Sequence, residues 1–201
     1  LASPDILYRL DRTADAPEVG GDDNHISEMA LASRLSFFLW GGAPDDTVVE
    51  LASAGRLSVP AVLEAQTRRL LADPRAETLA TRFAALWLRL QDMSLVQPDA
   101  FWFPNFDRQL ADAMRRETEL LFYALVREDR SVLELLTADY TFVNVRLAKH
   151  YQIPHVYGSR FRRATLEAES RRGGLLRHGC IQTWTSYYTR TTSVIRWHWL
   201  L

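Results

Sequence analysis

Apolar residues along this chain recur at spacings of three, four and seven or eight, and strand-like alternation hardly appears. Ser3-Pro4 reads as N-cap and N1 of a short helix through Leu10, and residues 13–25, polar with Gly20-Gly21, read as a loop. Ser27 caps a strongly apolar helix from Glu28 to Trp40, with Leu31, Leu35, Phe38 and Leu39 on one face. Gly41-Gly42 stops it. Pro44 occupies N1 of a helix to about Ala54, with Asp45 and Asp46 at its positive end. Ser58 is placed to cap the next, which carries Pro60 in its first turn and runs through Leu71 to the Asp73-Pro74 break. A long helix over residues 75–90 follows, striped by Leu79, Phe83, Leu86 and Leu90.

Residues 91–106 hold Pro98, Pro104, Phe101, Trp102, Phe103 and Phe106, a loop whose aromatics are expected to pack down onto the helices. A long amphipathic helix spans Asp107 to about Arg127, with Leu110, Met114, Leu121 and Leu125 inward. Ser131 caps a short helix to Leu136 and Asn144 another to His150; residues 175–185 and 193–201 are also helical in pattern. The pattern predicts an all-α fold, a multi-helix orthogonal bundle with long loops. Residues 1–159 form its core, and 160–201 an irregular basic, aromatic-rich extension that packs on the core or on a partner.

Composition is that of an ordinary globular domain, 47% hydrophobic and 24% charged, which excludes a disordered chain. Cys180 is the one cysteine, so an intramolecular disulfide is impossible and a buried thiol is the simplest reading. The net charge of −1 is unevenly spread: residues 160–201 carry eight arginines against Glu167 and Glu169, which leaves residues 1–159 at −7. Such a split marks either a docking face for an acidic partner or an acidic body folded against its own basic tail. No run of 18 apolar residues exists, so no membrane-spanning helix is expected. A chain that starts at Leu1 reads as a processed or truncated piece of something longer.

The chemistry-bearing residues are sparse. Glu117 and Glu119, at i and i+2 on one helix, point to different faces, and with Arg115, Arg116 and Arg127 nearby they read as a salt-bridged helix surface. Asp139 and Tyr140 are the weak catalytic candidates, an acid or base beside a phenol. The plainer reading has Asp139 satisfying a turn while Asn144 caps a helix. His25, His150, His155, His178 and His198 show no metal-binding spacing, so no metal site is read. His150 and His155 can converge through the Pro154 turn, where a haem ligand is imaginable, but polar packing is preferred for each. Gly173-Gly174 after two arginines is an anion nest or, more simply, a tight turn. Trp184, Tyr187, Tyr188, Arg190, Arg196, Trp197 and Trp199 crowd into 16 residues, the composition of an interface hot spot. It also suits membrane-surface contact or internal packing; nucleic acid is not expected.

Several blocks, in order, resemble a known family. They are Ala32 to Trp40 followed by Pro44-Asp45-Asp46; Leu71 to Ala76; Arg116 to Leu120 with Glu128 to Val132; Ala138-Asp139-Tyr140-Thr141-Phe142-Val143-Asn144 leading to Leu147-Ala148-Lys149-His150-Tyr151; and Arg172 to Leu176 with Thr185-Ser186 and Thr189-Arg190-Thr191. Together they resemble the helical domain of unknown function found beside cytochrome c-type modules in large exported planctomycete-type proteins. The resemblance implies a periplasmic or extracellular location and a redox neighbourhood, and it supplies no catalytic residue. The sequence departs from the family at Tyr187-Tyr188 and at Trp197-His198-Trp199, and it carries no CxxCH motif, so no cofactor is expected on this chain. The leading expectation is a non-catalytic accessory or docking subunit on the periplasmic face of a respiratory or photosynthetic membrane redox complex, contacting a c-type cytochrome. The alternatives are an extracellular hydrolytic or oxidative enzyme module acting on a polymer, and a scaffold fragment of a longer cytochrome-containing protein.

Overall fold

A computed structural model describes residues 26–167, 170, 172–186 and 194. The chain divides into two compact units, residues 1–79 and 80–201. The predicted helix at residues 3–10 and the second half of the aromatic tail lie outside the described residues.

The first unit holds α1 (Glu28–Trp40), α2 (Asp46–Ser53), α3 (Pro60–Ala72) and a 3-10 turn at Pro74–Ala76. Ser27 caps α1 as its sequence requires, accepting from the Ala30 amide at 3.2 Å, and Gly41 ends it at φ 66°. The buried face of α1 is Ala32, Ser36, Leu39 and Trp40, while Phe38 is exposed, so the helix is rotated from its predicted stripe. Trp40 explains the rotation: its indole N–H donates to Leu70 O at 2.9 Å, and the Arg75 guanidinium lies over its ring at 3.4 Å. Asp46, not Pro44, is the first residue of α2, and Asp45 caps it; Asp45 accepts from the Val48 amide and takes both arms of Arg69, at 2.7 and 3.0 Å. Val59 is the N-cap of α3, and the Ser58 amide is instead bound by the Glu28 carboxylate at 3.1 Å.

The single long helix predicted for residues 75–90 is broken. A π-type stretch, Leu79–Ala84, leads into a short α4 (Ala85–Trp87), and Arg89 then turns left-handed at φ 55°. The wider π turn rotates the faces. Ala80, Ala84, Ala85 and Leu88 are buried, whereas Phe83 is 43% and Leu86 66% exposed. A 3-10 segment, Leu90–Leu95, follows.

The second unit gathers around α5 (Arg108–Arg127), whose predicted inner residues Leu110, Met114, Leu121 and Leu125 are all buried. After it come α6 (Glu134–Thr137), β1 (Tyr140–Val143), α7 (Val145–Tyr151), β2 (Arg162–Thr165), a 3-10 turn at Leu175–Arg177 and α8 (Gly179–Trp184). The fold is therefore mostly helical and not all-α. β1 and β2 pair antiparallel, Tyr140 opposite Thr165 and Val143 opposite Arg162. Tyr-Thr-Phe-Val is a run of aromatic and β-branched residues suited to a pleated surface. It is too short, and its partner Arg-Arg-Ala-Thr too polar, for an alternating pattern to stand out. Asn144 caps α7 by accepting from the Leu147 amide at 3.0 Å.

Gly174 fixes how the chain returns to the core. At φ +62° it presents its amide to Ala138 O at 3.0 Å, and a Cβ there would collide with the Leu136 carbonyl. The Gly-Gly pair thus serves close backbone approach, which neither the anion-nest nor the tight-turn reading named.

Candidate functional site

Two features of the second unit concentrate polar and aromatic chemistry: a closed polar centre at Glu117 of α5 and an open cavity walled by α5 and α8.

The polar centre is built on Glu117, which is 1% exposed. Its carboxylate accepts from the Tyr151 hydroxyl at 2.6 Å and from the Thr141 hydroxyl. Tyr151 Oη accepts in turn from the Gly179 amide at 2.8 Å. A Cβ on Gly179 would stand 2.6 Å from that oxygen and 2.9 Å from Met114 Cε, so the bond requires glycine. One carboxylate therefore ties α5 to β1, α7 and α8. Burial, and then the charge of Glu117, raise the Tyr151 phenol well above its ordinary range; the Arg172 guanidinium lies over its ring at 3.8 Å. Beside it, His178 is buried with Nδ1 3.0 Å from Thr118 Oγ1, and among the described residues its Nε2 has no hydrogen-bond partner. Burial lowers its pKa, so the ring is neutral at neutral pH. Burial, and then Glu117, also push the Cys180 thiol up to about 12, which leaves it unreactive.

These placements correct the sequence reading of the two glutamates. Both are buried: Glu119 pairs with Arg115 at 3.3 Å and Arg116 at 3.1 Å, but Glu117 meets hydroxyls on the opposite side. At i and i+2 the two carboxylates diverge, as their spacing requires. Which direction is inward is set by the partners of Glu117, which lie 24 and 34 residues away.

The cavity has a volume of about 720 Å³. Its walls come from the loop 95–106, from Leu110 and Met114 of α5, from His150, and from Gln182, Thr183 and Trp184 of α8. Arg89 spans one side: its guanidinium bonds Asp92 at 2.6 Å and sits 5.2 Å from the Trp184 ring centroid. His150 lies on the rim. Its pKa is lowered, first by burial and then by the Arg172 and Arg146 cations. The outer edge of the loop is apolar and open to solvent: Phe101 is 82%, Leu95 76% and Trp102 65% exposed. This edge departs from the expectation that the loop's aromatics pack down. Phe106 packs on the core and Phe101–Trp102 do not, and the two are set edge to face at 5.3 Å.

Asp139 and Tyr140 line neither feature. Asp139 is exposed, and its carbonyl accepts from the Leu166 amide at 2.8 Å. Tyr140 is buried, its hydroxyl donating to Glu134 at 3.3 Å, with Arg163 4.1 Å from its ring centroid. Burial raises its pKa. Of the predicted contact residues, Trp184 is half-buried against the core and walls the cavity; Tyr187, Tyr188, Arg190, Arg196, Trp197 and Trp199 lie outside the described residues. Where the basic segment is described, it meets its own chain: Arg163 pairs with Glu128 at 3.0 Å. His155 is exposed, and among the described residues no three His, Cys, Asp or Glu side chains are grouped to hold a metal ion. No described helix is long and apolar enough to cross a membrane.

Helices around a long α5, with one small two-stranded antiparallel sheet, define a mostly helical fold among the described residues. Residues 26–153 match the family model described as PSD4, protein of unknown function (DUF1592), and the chain belongs to that family. The match contains Glu117, Thr141 and Tyr151 and ends before Gly179. No curated protein and no solved structure matches the chain.

Proposed function

We propose that this chain is a non-catalytic docking module whose contact surface is the apolar edge Leu95, Phe101 and Trp102. The observation that carries the reading is the exposure of these three side chains beside a structured cavity, where burial against the chain itself would have been expected. Aromatic residues held on a loop are the usual anchors of protein interfaces, and a water-facing apolar cluster of this kind gains stability when covered. The partner favoured by the sequence resemblance is a c-type cytochrome or another subunit of a membrane redox complex, met on the periplasmic or extracellular side. Trp184 supports the cavity wall behind this edge and joins the contact only indirectly.

The enzyme reading has less behind it. Its candidate acid, Asp139, lines neither the cavity nor the polar centre, and Tyr140 is engaged with Glu134. The test is purification from the native source in mild detergent, with a visible spectrum of the eluate. Docking expects a Soret-absorbing partner that is retained by the wild-type chain and lost with Phe101→Ala/Trp102→Ala. A colourless eluate from the wild-type chain contradicts it.

A further inference from the structure

We infer that the cavity behind the aromatic edge is a binding site for an uncharged, flat, largely apolar small molecule with hydrogen-bonding groups at its margin. This goes beyond docking and rests on the interior of the cavity. The volume, about 720 Å³, falls in the range of sites that enclose a small organic ligand. Trp102, Phe103, Phe106 and Trp184 contribute aromatic rings to its wall, and Gln182 and Thr183 of α8 add an amide and a hydroxyl that also contact Leu176 O at 3.4 Å and Met114 Sδ at 3.9 Å.

Charge selects the ligand. Among the described lining residues the charged groups are Arg89 and Asp92, and they neutralise each other at 2.6 Å. The rim histidine, His150, is held in its neutral form at neutral pH. A charged ligand would lose its hydration without an unpaired opposite charge to meet, whereas a neutral one loses little. The Arg89 backbone is left-handed at φ 55°, and its guanidinium lies 5.2 Å from the Trp184 ring centroid and 2.6 Å from Asp92. A non-glycine residue kept in that conformation is a cost that the surrounding structure must sustain, and such residues cluster at ligand clamps.

Two dyes of nearly the same shape test this: N-phenyl-1-naphthylamine, which is neutral, and its sulfonated counterpart 8-anilinonaphthalene-1-sulfonate. Each is titrated by fluorescence into the full chain. The neutral dye is expected to bind saturably at one site, at least tenfold tighter than the sulfonate. Asp92→Asn leaves Arg89 unpaired and should shift the ratio toward the sulfonate by about tenfold. Arg89→Gln should shift it the other way. Phe101→Ala, whose side chain does not line the cavity, should leave neutral-dye binding unchanged even where docking is lost, so the two proposals fail separately. Absence of saturable neutral-dye binding, a wild-type preference for the sulfonate, or a ratio indifferent to both variants while far-ultraviolet circular dichroism shows a folded chain would overturn the inference.

Discussion

Two stretches of the buried face of α5 treat polarity in opposite ways. At mid-helix, Glu117 is enclosed by hydroxyls from β1 and α7, and Tyr151 in turn holds the Gly179 amide. Nearer its N-terminus, at Leu110 and Met114, a cavity of about 720 Å³ stays open beside an edge of solvent-facing aromatics. Met114 belongs to both: it lines the cavity and also sits where a Cβ on Gly179 would have to go. A buried carboxylate with fixed partners lowers tolerance to change and specifies which elements meet. Leu95, Phe101 and Trp102 stay largely exposed and so add little buried apolar area to the chain itself. The difference separates residues that make the fold from residues that are available for contact.

That separation can be broken at several points. The largest effect is expected from Gly174→Ala, which drives a Cβ into the Leu136 carbonyl at a positive φ and should destabilise by about 3 kcal/mol or more. Urea denaturation would measure it; a loss below about 1 kcal/mol would mean the return of the chain is not fixed there. Glu117→Ala comes next, at about 3 kcal/mol, because it strands the buried Thr141 and Tyr151 hydroxyls. Tyr151→Phe, which keeps the ring, should cost about 2 kcal/mol. Phe101→Ala should change stability by no more than about 0.5 kcal/mol while removing the docking contact. A large stability loss there would show the edge to be part of the core.

A smaller effect concerns pH. The folded state holds His178 below its ordinary pKa of 6.5, so the unfolded chain takes up its proton first as pH falls. Stability should be free of this penalty above about pH 6.5 and decline below it, until the folded-state histidine also titrates. His178→Gln should flatten that part of the stability profile, as followed by thermal unfolding from pH 7.5 to 5. Smallest of all, Cys180 should resist iodoacetamide in the folded chain and react once unfolded, since burial keeps its thiol protonated.

Local signals in the sequence were read well where the partner is close. Ser27, Asn144 and Gly41 act as the caps and stop their types suggest, and α5 buries the four residues its period selects. The same reasoning failed where a distant residue decides. Trp40 turns α1 through its bond to Leu70, thirty positions on. A π turn at Leu79–Ala84 shifts the faces of the next segment, which a fixed 3.6-residue period cannot anticipate. The polar centre was invisible for the same reason: Glu117 meets residues from two later elements, and the two arginines that precede it bind Glu119 instead. Part of the aromatic loop was recognised as a loop, but its outward edge is a tertiary outcome that composition does not specify.

The account stands most directly on one comparison of eluates in mild detergent, wild-type chain against Phe101→Ala/Trp102→Ala, with Tyr151→Phe as the fold-side control. Docking through the aromatic edge expects a haem-absorbing partner with the wild-type and Tyr151→Phe chains and none with the double variant. A wild-type chain that elutes colourless, or a double variant that brings the same partner along, would contradict it.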